Sequence, residues 1–409
     1  MKRYMFIFAF VGVAIGIALG LLLAKPTTQV YGSEAEMQDM NHMADMSAMS
    51  QNAVQEGSNA APAPKGQTRT YYIAADEVQW NYAPSGINQI TGEDFNDEAN
   101  VFVQNGPDRI GSIYLKSQYR EYTNDSFTTL KPIPAKWKHK GILGPVIQAE
   151  VGDTIRVIFK NNTRFPASMH PHGVFYQKNS EGAQYDDGTS GSDKNDDAVP
   201  PGGMVTYVWE VPERAGPGPM DPSSVLWMYH GHVDEPADTN AGLIGPMIIT
   251  KRGMARPDGS PKDVDREFVT LYTVFDENAS LYLDDNIQMF PGDPSSVDPE
   301  DDGFIESNLM HSINGYVFGN LPLETMTMHK GEHVRWYVMA QGTEVDLHTP
   351  HWHGNTVVLN GMRTDVATLL PMSMLTADMV PDAVGTWFYH CHVNDHITAG
   401  MLARYRVDP

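Results

Sequence analysis

Thr386-Trp387-Phe388-Tyr389-His390-Cys391-His392-Val393-Asn394-Asp395-His396-Ile397-Thr398-Ala399-Gly400-Met401 is the stretch that decides how this chain reads. Its first five residues are aromatic, β-branched or histidine, the texture of a short strand. Residues two apart on a strand point to the same side, so His390 and His392 share a face and Cys391 takes the other. Cys391 is the single cysteine of 409 residues and cannot form an internal disulfide. With His396 and Met401 after it and His348 before it, it makes a set of two imidazoles, a thiolate and a thioether, which suits a blue-copper electron-transfer site.

The pattern repeats along the chain. Tyr229-His230-Gly231-His232 matches Tyr389-His390-Cys391-His392, and His170-Pro171-His172-Gly173 matches His351-Trp352-His353-Gly354. Each His-x-His pair on a strand presents two imidazoles to one metal cluster. Gly231 stands in the place of Cys391, so the first half carries cluster histidines alone. Between these motifs run short apolar segments divided by Pro, Gly, Asn and Asp: Val146 to Val151, Thr154 to Phe159, Met204 to Val211 and Met247 to Thr250, then Val334 to Met339, Thr356 to Leu359 and Thr386 to His390. Such spacing predicts an all-β chain of two Greek-key β-sandwiches, 69–252 and 253–409, joined through the polar Lys251 to Arg266 segment.

Ahead of the sandwiches, Lys2 and Arg3 precede an apolar run from Tyr4 to Ala24, read as residues 1–25 of an export signal or an uncleaved membrane anchor. Residues 26–68 are polar and read as a disordered linker. Within it Met37, Met40, Met43, Met46 and Met49 recur every three residues around His42. Thioether sulfur suits Cu(I), so the run is an accessory copper candidate, beside the plainer reading of a polar tether. The formal charge of -23 argues against nucleic acid as a partner and for attraction of cations.

HTPHWHG and HCHVNDHITAGM carry a resemblance, over about Arg69 to Val407, to the two-domain multicopper oxidases and more closely to the ceruloplasmin and hephaestin group. The resemblance implies two cupredoxin-like domains holding four coppers. The type 1 copper would take His348, Cys391, His396 and Met401; the type 2 copper His170 and His351; the type 3 pair His172, His230, His232, His353, His390 and His392. Electrons would pass from Cys391 through His390 and His392 to O2, which is reduced to water. In ceruloplasmin the cluster lies where the last of six domains meets the first; two domains cannot close that ring, so a homotrimer with clusters between subunits is implied. Leu402 stands where ceruloplasmin's last domain has a glutamate, so that acid's role does not transfer.

Glu306, His311, Glu344 and Asp395 match the group's iron-binding positions, with Glu344 reaching the site of a neighbouring subunit. They make ferroxidase the leading expectation, ahead of cuprous, Mn(II) or phenol oxidation; the eight-histidine set argues against a copper nitrite reductase, and the redox-tuned cysteine site against a copper store. Asp193, Asp196 and Asp197 lie in a loop resembling the group's calcium-binding region, with an ordinary acidic loop as the alternative. Together these features predict an exported protein at the periplasmic or extracellular face.

Overall fold

A computed structural model describes residues 66–343 and 346–409, and the span Pro64–Pro409 forms one compact unit. The apolar run, the linker with its methionines and His42, and Glu344 lie outside the described residues. No helix among the described residues is long and apolar enough to cross a membrane.

Two sandwiches of matching plan make up the unit. In the first, a five-stranded sheet in the order Ile113–Glu121, Thr68–Asn81, Thr154–Asn161, Met204–Glu210, Phe175–Tyr176 faces a four-stranded sheet of Ile147–Glu150, Ile244–Thr250, Ser224–His230 and His170–Pro171. In the second, a six-stranded sheet of Leu309–Ile313, Arg266–Asp276, Val334–Ala340, Met374–Met379, Val357–Leu359 and Met362–Thr364 faces Thr327–His329, Leu402–Asp408, Gly385–Cys391 and Pro350–Trp352. The neighbours of these strands are mixed: Thr68–Asn81 runs parallel to Thr154–Asn161, and Arg266–Asp276 parallel to Val334–Ala340.

Alternation builds the strands. In Leu402–Asp408, Ala403, Tyr405 and Val407 are buried and the residues between them are half-buried, the period-two pattern of a strand packed on one face. Trp209, Tyr207 and Phe159 centre the first core, and Trp336, Trp352 and Tyr389 the second, which also encloses Cys391 and Met401. A third core draws on both halves, from Tyr82, Phe102, Trp137 and Leu226 to Val269, Phe275 and Tyr337, so the sandwiches share an apolar interior.

Register places the histidines. His170 pairs with His230 across neighbouring strands of the first sandwich, and His351 pairs with His390 in the second. The glycine that ends each His-x-His-Gly motif has positive φ, 76° at Gly173 and 71° at Gly354. A Cβ on either would strike an indole, Trp227 at 2.3 Å and Trp387 at 2.4 Å, so both chain reversals require glycine.

Candidate metal centres

Strand Gly385–Cys391 delivers Cys391 into the second core, and the one-turn helix Asn394–Thr398 returns His396 beside it. The Sγ lies 3.6 Å from His396 Nδ1 and 3.9 Å from His348 Nδ1, and the two Nδ1 atoms are 3.2 Å apart. Thr349 N–H donates to the Sγ at 3.4 Å, and Cys391 N–H donates to the Met401 carbonyl at 3.2 Å, which keeps Met401, itself fully buried, next to the thiol. Burial holds His348 down to about 3, lowers His396 and raises the Cys391 thiol. Both imidazoles are therefore neutral, with lone pairs available to a metal. His348 Nε2 is buried without a hydrogen-bond partner, since Asp346 Oδ1 at 3.7 Å is too distant to accept one. Two neutral imidazoles and a thiol converging on one space, beside a thioether residue, fit a copper ion of the blue type.

The other histidines form two quartets of the same design. His172 Nε2 and His230 Nε2 face each other at 3.0 Å in the first sandwich, as His353 Nε2 and His390 Nε2 do at 3.0 Å in the second. Backbone acceptors fix the rings: Nδ1–H of His170 donates to the Glu181 carbonyl at 2.7 Å, that of His230 to Gly231 at 2.9 Å, and that of His390 to Cys391 at 2.6 Å. Each such bond commits the proton to Nδ1 and leaves Nε2 as a donor to a metal. The ring of His232 lies 5.0 Å from that of His170, and the ring of His392 lies 5.2 Å from that of His351. Desolvation takes His172 to about 4, His230 to about 3 and His390 to about 4, so these rings stay neutral at pH 7. Among the described residues no ring contact joins one quartet to the other.

At the place of Cys391 the first sandwich is plugged. A Cβ on Gly231 would lie 2.7 Å from the Cβ of Asp238, a buried residue whose carboxylate accepts from Val233 N–H at 2.9 Å and Asp234 N–H at 3.2 Å.

Beside His396 opens a cavity of about 630 Å³, lined by Glu306, His311 and Asp395 together with Asp276, Asp346 and Asn240. The His311 ring is 5.2 Å from that of His396, and its Nδ1–H donates to the Leu309 carbonyl at 2.9 Å, leaving Nε2 free. Glu306 lies in the last turn of helix Asp302–Ser307 and, like Asp395, is exposed. Asp276 and Asp346 escape a sequence reading because isolated acids carry no spacing signal. Asp346 is partly structural, accepting from Val274 N–H and Thr343 N–H.

In the loop at Asp193, Asp196 is fully buried, with Oδ2 accepting from Gly182 N–H at 2.8 Å and Oδ1 without a partner. Burial raises its carboxyl to about 6. Asp197 is buried beside it, 3.1 Å from Lys194 Nζ, while Asp193 is half-buried on the adjoining turn. An orphan carboxylate oxygen in an acidic loop fits a hard cation.

Two family models, each described as multicopper oxidase, match residues 136–253 and 296–409. The chain is 49% identical over 344 residues to human Ferroxidase HEPHL1, covering 83% of this chain and 29% of that protein. It is 48% identical over 346 residues to human hephaestin, 84% of this chain and 29% of that one, and 46% identical over 350 residues to human ceruloplasmin, 83% and 32%. The chain thus spans less than a third of the length of these relatives. A solved structure of a multicopper oxidase aligns with a TM-score of 0.52 at 17% identity, over 84% of this chain and 86% of that one, which shows a shared fold.

Proposed function

We infer, from the fact that this chain belongs to the multicopper oxidase family, that it couples four one-electron oxidations of a metal-ion reductant, Fe(II) foremost, to the reduction of O2 to water. The observation that carries this reading is the junction at Cys391: it is flanked by His390 and His392 in the chain, and its carbonyl accepts the Nδ1–H of His390 at 2.6 Å. Two covalent routes, one to each neighbour, and one hydrogen bond thus link the buried thiol to the second quartet.

Copper bound at these donors supplies the one-electron steps and the chemistry on dioxygen. His348, Cys391, His396 and Met401 would hold the type 1 ion, His170 and His351 the type 2 ion, and His172, His230, His232, His353, His390 and His392 the type 3 pair. The role of the chain is to keep these rings neutral and aimed, through the backbone acceptors at Glu181, Gly231 and Cys391. Since no ring contact joins the quartets among the described residues, we assign the cluster to a boundary between copies, the first sandwich (69–252) of one meeting the second (253–409) of the next, in a homotrimer. Light scattering that found a fully active monomer would overturn this assignment. We further assign export to the periplasmic or extracellular face, and calcium to the Asp196 loop.

Fe(II) as substrate rests on the cavity that unites Glu306, His311 and Asp395 one ring away from His396. Carboxylate oxygens favour Fe(III) over Fe(II) and so ease the loss of an electron towards the His396 edge. The test compares Fe(II) with a bulky phenol in wild type and in Glu306→Ala/His311→Ala. Losing two ligands at about 1.4 kcal/mol each lowers kcat/KM for Fe(II) roughly 100-fold, while phenol turnover and copper content hold. Equal losses on both substrates would point to damaged copper sites; an unchanged iron rate would sink the ferroxidase reading and put cuprous oxidation, favoured by the Met37 to Met49 run, in front.

A further inference from the structure

Lined by none of the cluster histidines, a cavity of about 270 Å³ lies between strand Ile113–Glu121 and the short helix Ala135–Lys140. In a chain of formal charge -23, the cations on its wall are unexpected: Arg120, Lys131, Lys136 and Lys140 converge there. Three of them have carboxylate partners. Lys131 meets Glu121 at 2.7 Å, Lys136 meets Asp258 and Glu267 at 3.5 Å, and Arg120 meets Asp76 at 3.5 Å. Lys140 has no such partner among the described residues. Only 6% of it is exposed, and its Nζ donates to the Leu143 carbonyl, one bond where an ammonium can make three. Burial, with the charge of Arg120 added, brings its ammonium down to about 8, which still leaves it mostly charged at neutral pH. Lys140 thus sits beside the charge of Arg120 with no anion of its own, a costly arrangement that a bound anion would relieve.

Glu121 and Asp258, already engaged by Lys131 and Lys136, also line the wall with Gln118 and Gln148, and the remainder is largely apolar. The indole of Trp137 is buried under Lys136, whose Nζ sits 5.0 Å from the ring, and Leu130 and Ile133 are exposed at the rim. The volume lies just under the usual range of ligand sites, about 300–1,000 Å³, and holds about one ring. We propose that this cavity binds a small aromatic carboxylate, the carboxylate between Lys140 and Arg120 and the ring against Trp137, Leu130 and Ile133. Its lining includes no residue of either quartet or of the Cys391 centre, so occupancy is read without reference to turnover.

The experiment titrates 4-fluorobenzoate into the copper-loaded chain, followed by fluorine NMR, with 4-fluorobenzyl alcohol as the neutral control. Binding is expected to be saturable, weaker at high salt, and at least roughly tenfold tighter than that of the alcohol, because the charged contact lies in a recess of low dielectric. Lys140→Met should cost about tenfold or more in affinity and Arg120→Gln several-fold, both with oxidase rates unchanged. Equal binding of acid and alcohol, or undiminished affinity in Lys140→Met, would overturn the proposal. Should Lys140→Met fail to fold, Arg120→Gln decides, and unaltered affinity there is fatal to it.

Discussion

Glu277→Gln probes how the two sandwiches are held together. Lys116, on strand Ile113–Glu121, and Glu277, just past strand Arg266–Asp276, form an ion pair in which neither side chain is exposed. Lys116 Nζ also donates to the Asn240 carbonyl at 2.7 Å and lies 4.4 Å from the Phe275 ring centre, while Tyr82 donates its hydroxyl to Glu277. Burial pushes the ammonium down and the carboxyl up, and each group partly restores the other's charge. Glutamine keeps the shape and a neutral oxygen acceptor but removes the charge, leaving the ammonium buried without an anion. Breaking one side of a buried pair costs about 3–5 kcal/mol, whereas replacing both partners by apolar residues costs little. For the unit Pro64–Pro409, about 2.1 cal/mol/K per residue sums to roughly 0.7 kcal/mol/K, so the single variant should lose roughly 4–7 °C in Tm. Lys116→Met/Glu277→Leu should recover most of that. Thermal unfolding followed by circular dichroism measures all three proteins; a single variant within about 0.5 kcal/mol of wild type, or a double variant no better than the single, refutes the reasoning.

Three further outcomes are expected. The copper-loaded chain should be blue, and Cys391→Ser should lose both the intense visible band and oxygen uptake; a band that survives the substitution rules out Cys391 as the thiolate ligand. Glu267, 7% exposed, has its carboxyl raised above the ordinary 4.5 chiefly by desolvation. The folded state therefore holds that proton more tightly than the unfolded one, and the contribution is present below pH 4.5 and lost as pH rises through the raised value. Glu267→Gln should flatten the fall of Tm above pH 4.5, and an unaltered slope would show that another group sets it. Calcium should raise the Tm of the wild type reversibly with chelator and leave Asp196→Asn unmoved; an equal rise in both proteins would place the ion elsewhere.

Where the chain alternates, its strands can be read directly. Met204 to Val211 becomes Met204–Glu210 and Thr386 to His390 becomes Gly385–Cys391, because β-branched and aromatic runs bounded by Pro and Gly carry a period of two. The His-x-His pairs are legible for the same reason. Their cross-strand partners are not, since the pairing of His170 with His230 is a long-range register that no local pattern encodes. Helices Glu235–Ala241, 7 residues, and Asn394–Thr398, 5 residues, are too short to show a helical period, yet the second of them brings His396 to Cys391. The third core is equally hidden: Leu226 and Val269 each look like one half's own interior until the halves meet.

The plugged position at Gly231 bears on how such a chain can change over generations. Installing a cysteine there takes two steps, and each is harmful when taken alone. A cysteine first would drive its Cβ to 2.7 Å from that of Asp238. Removing Asp238 first would strip the acceptor from two backbone amides. The way to a cysteine is thus blocked by the neighbouring Asp238, one carboxylate set against one missing methylene. Any descendant that duplicates its first half would inherit a module without an electron port, and only the second half could seed a new one.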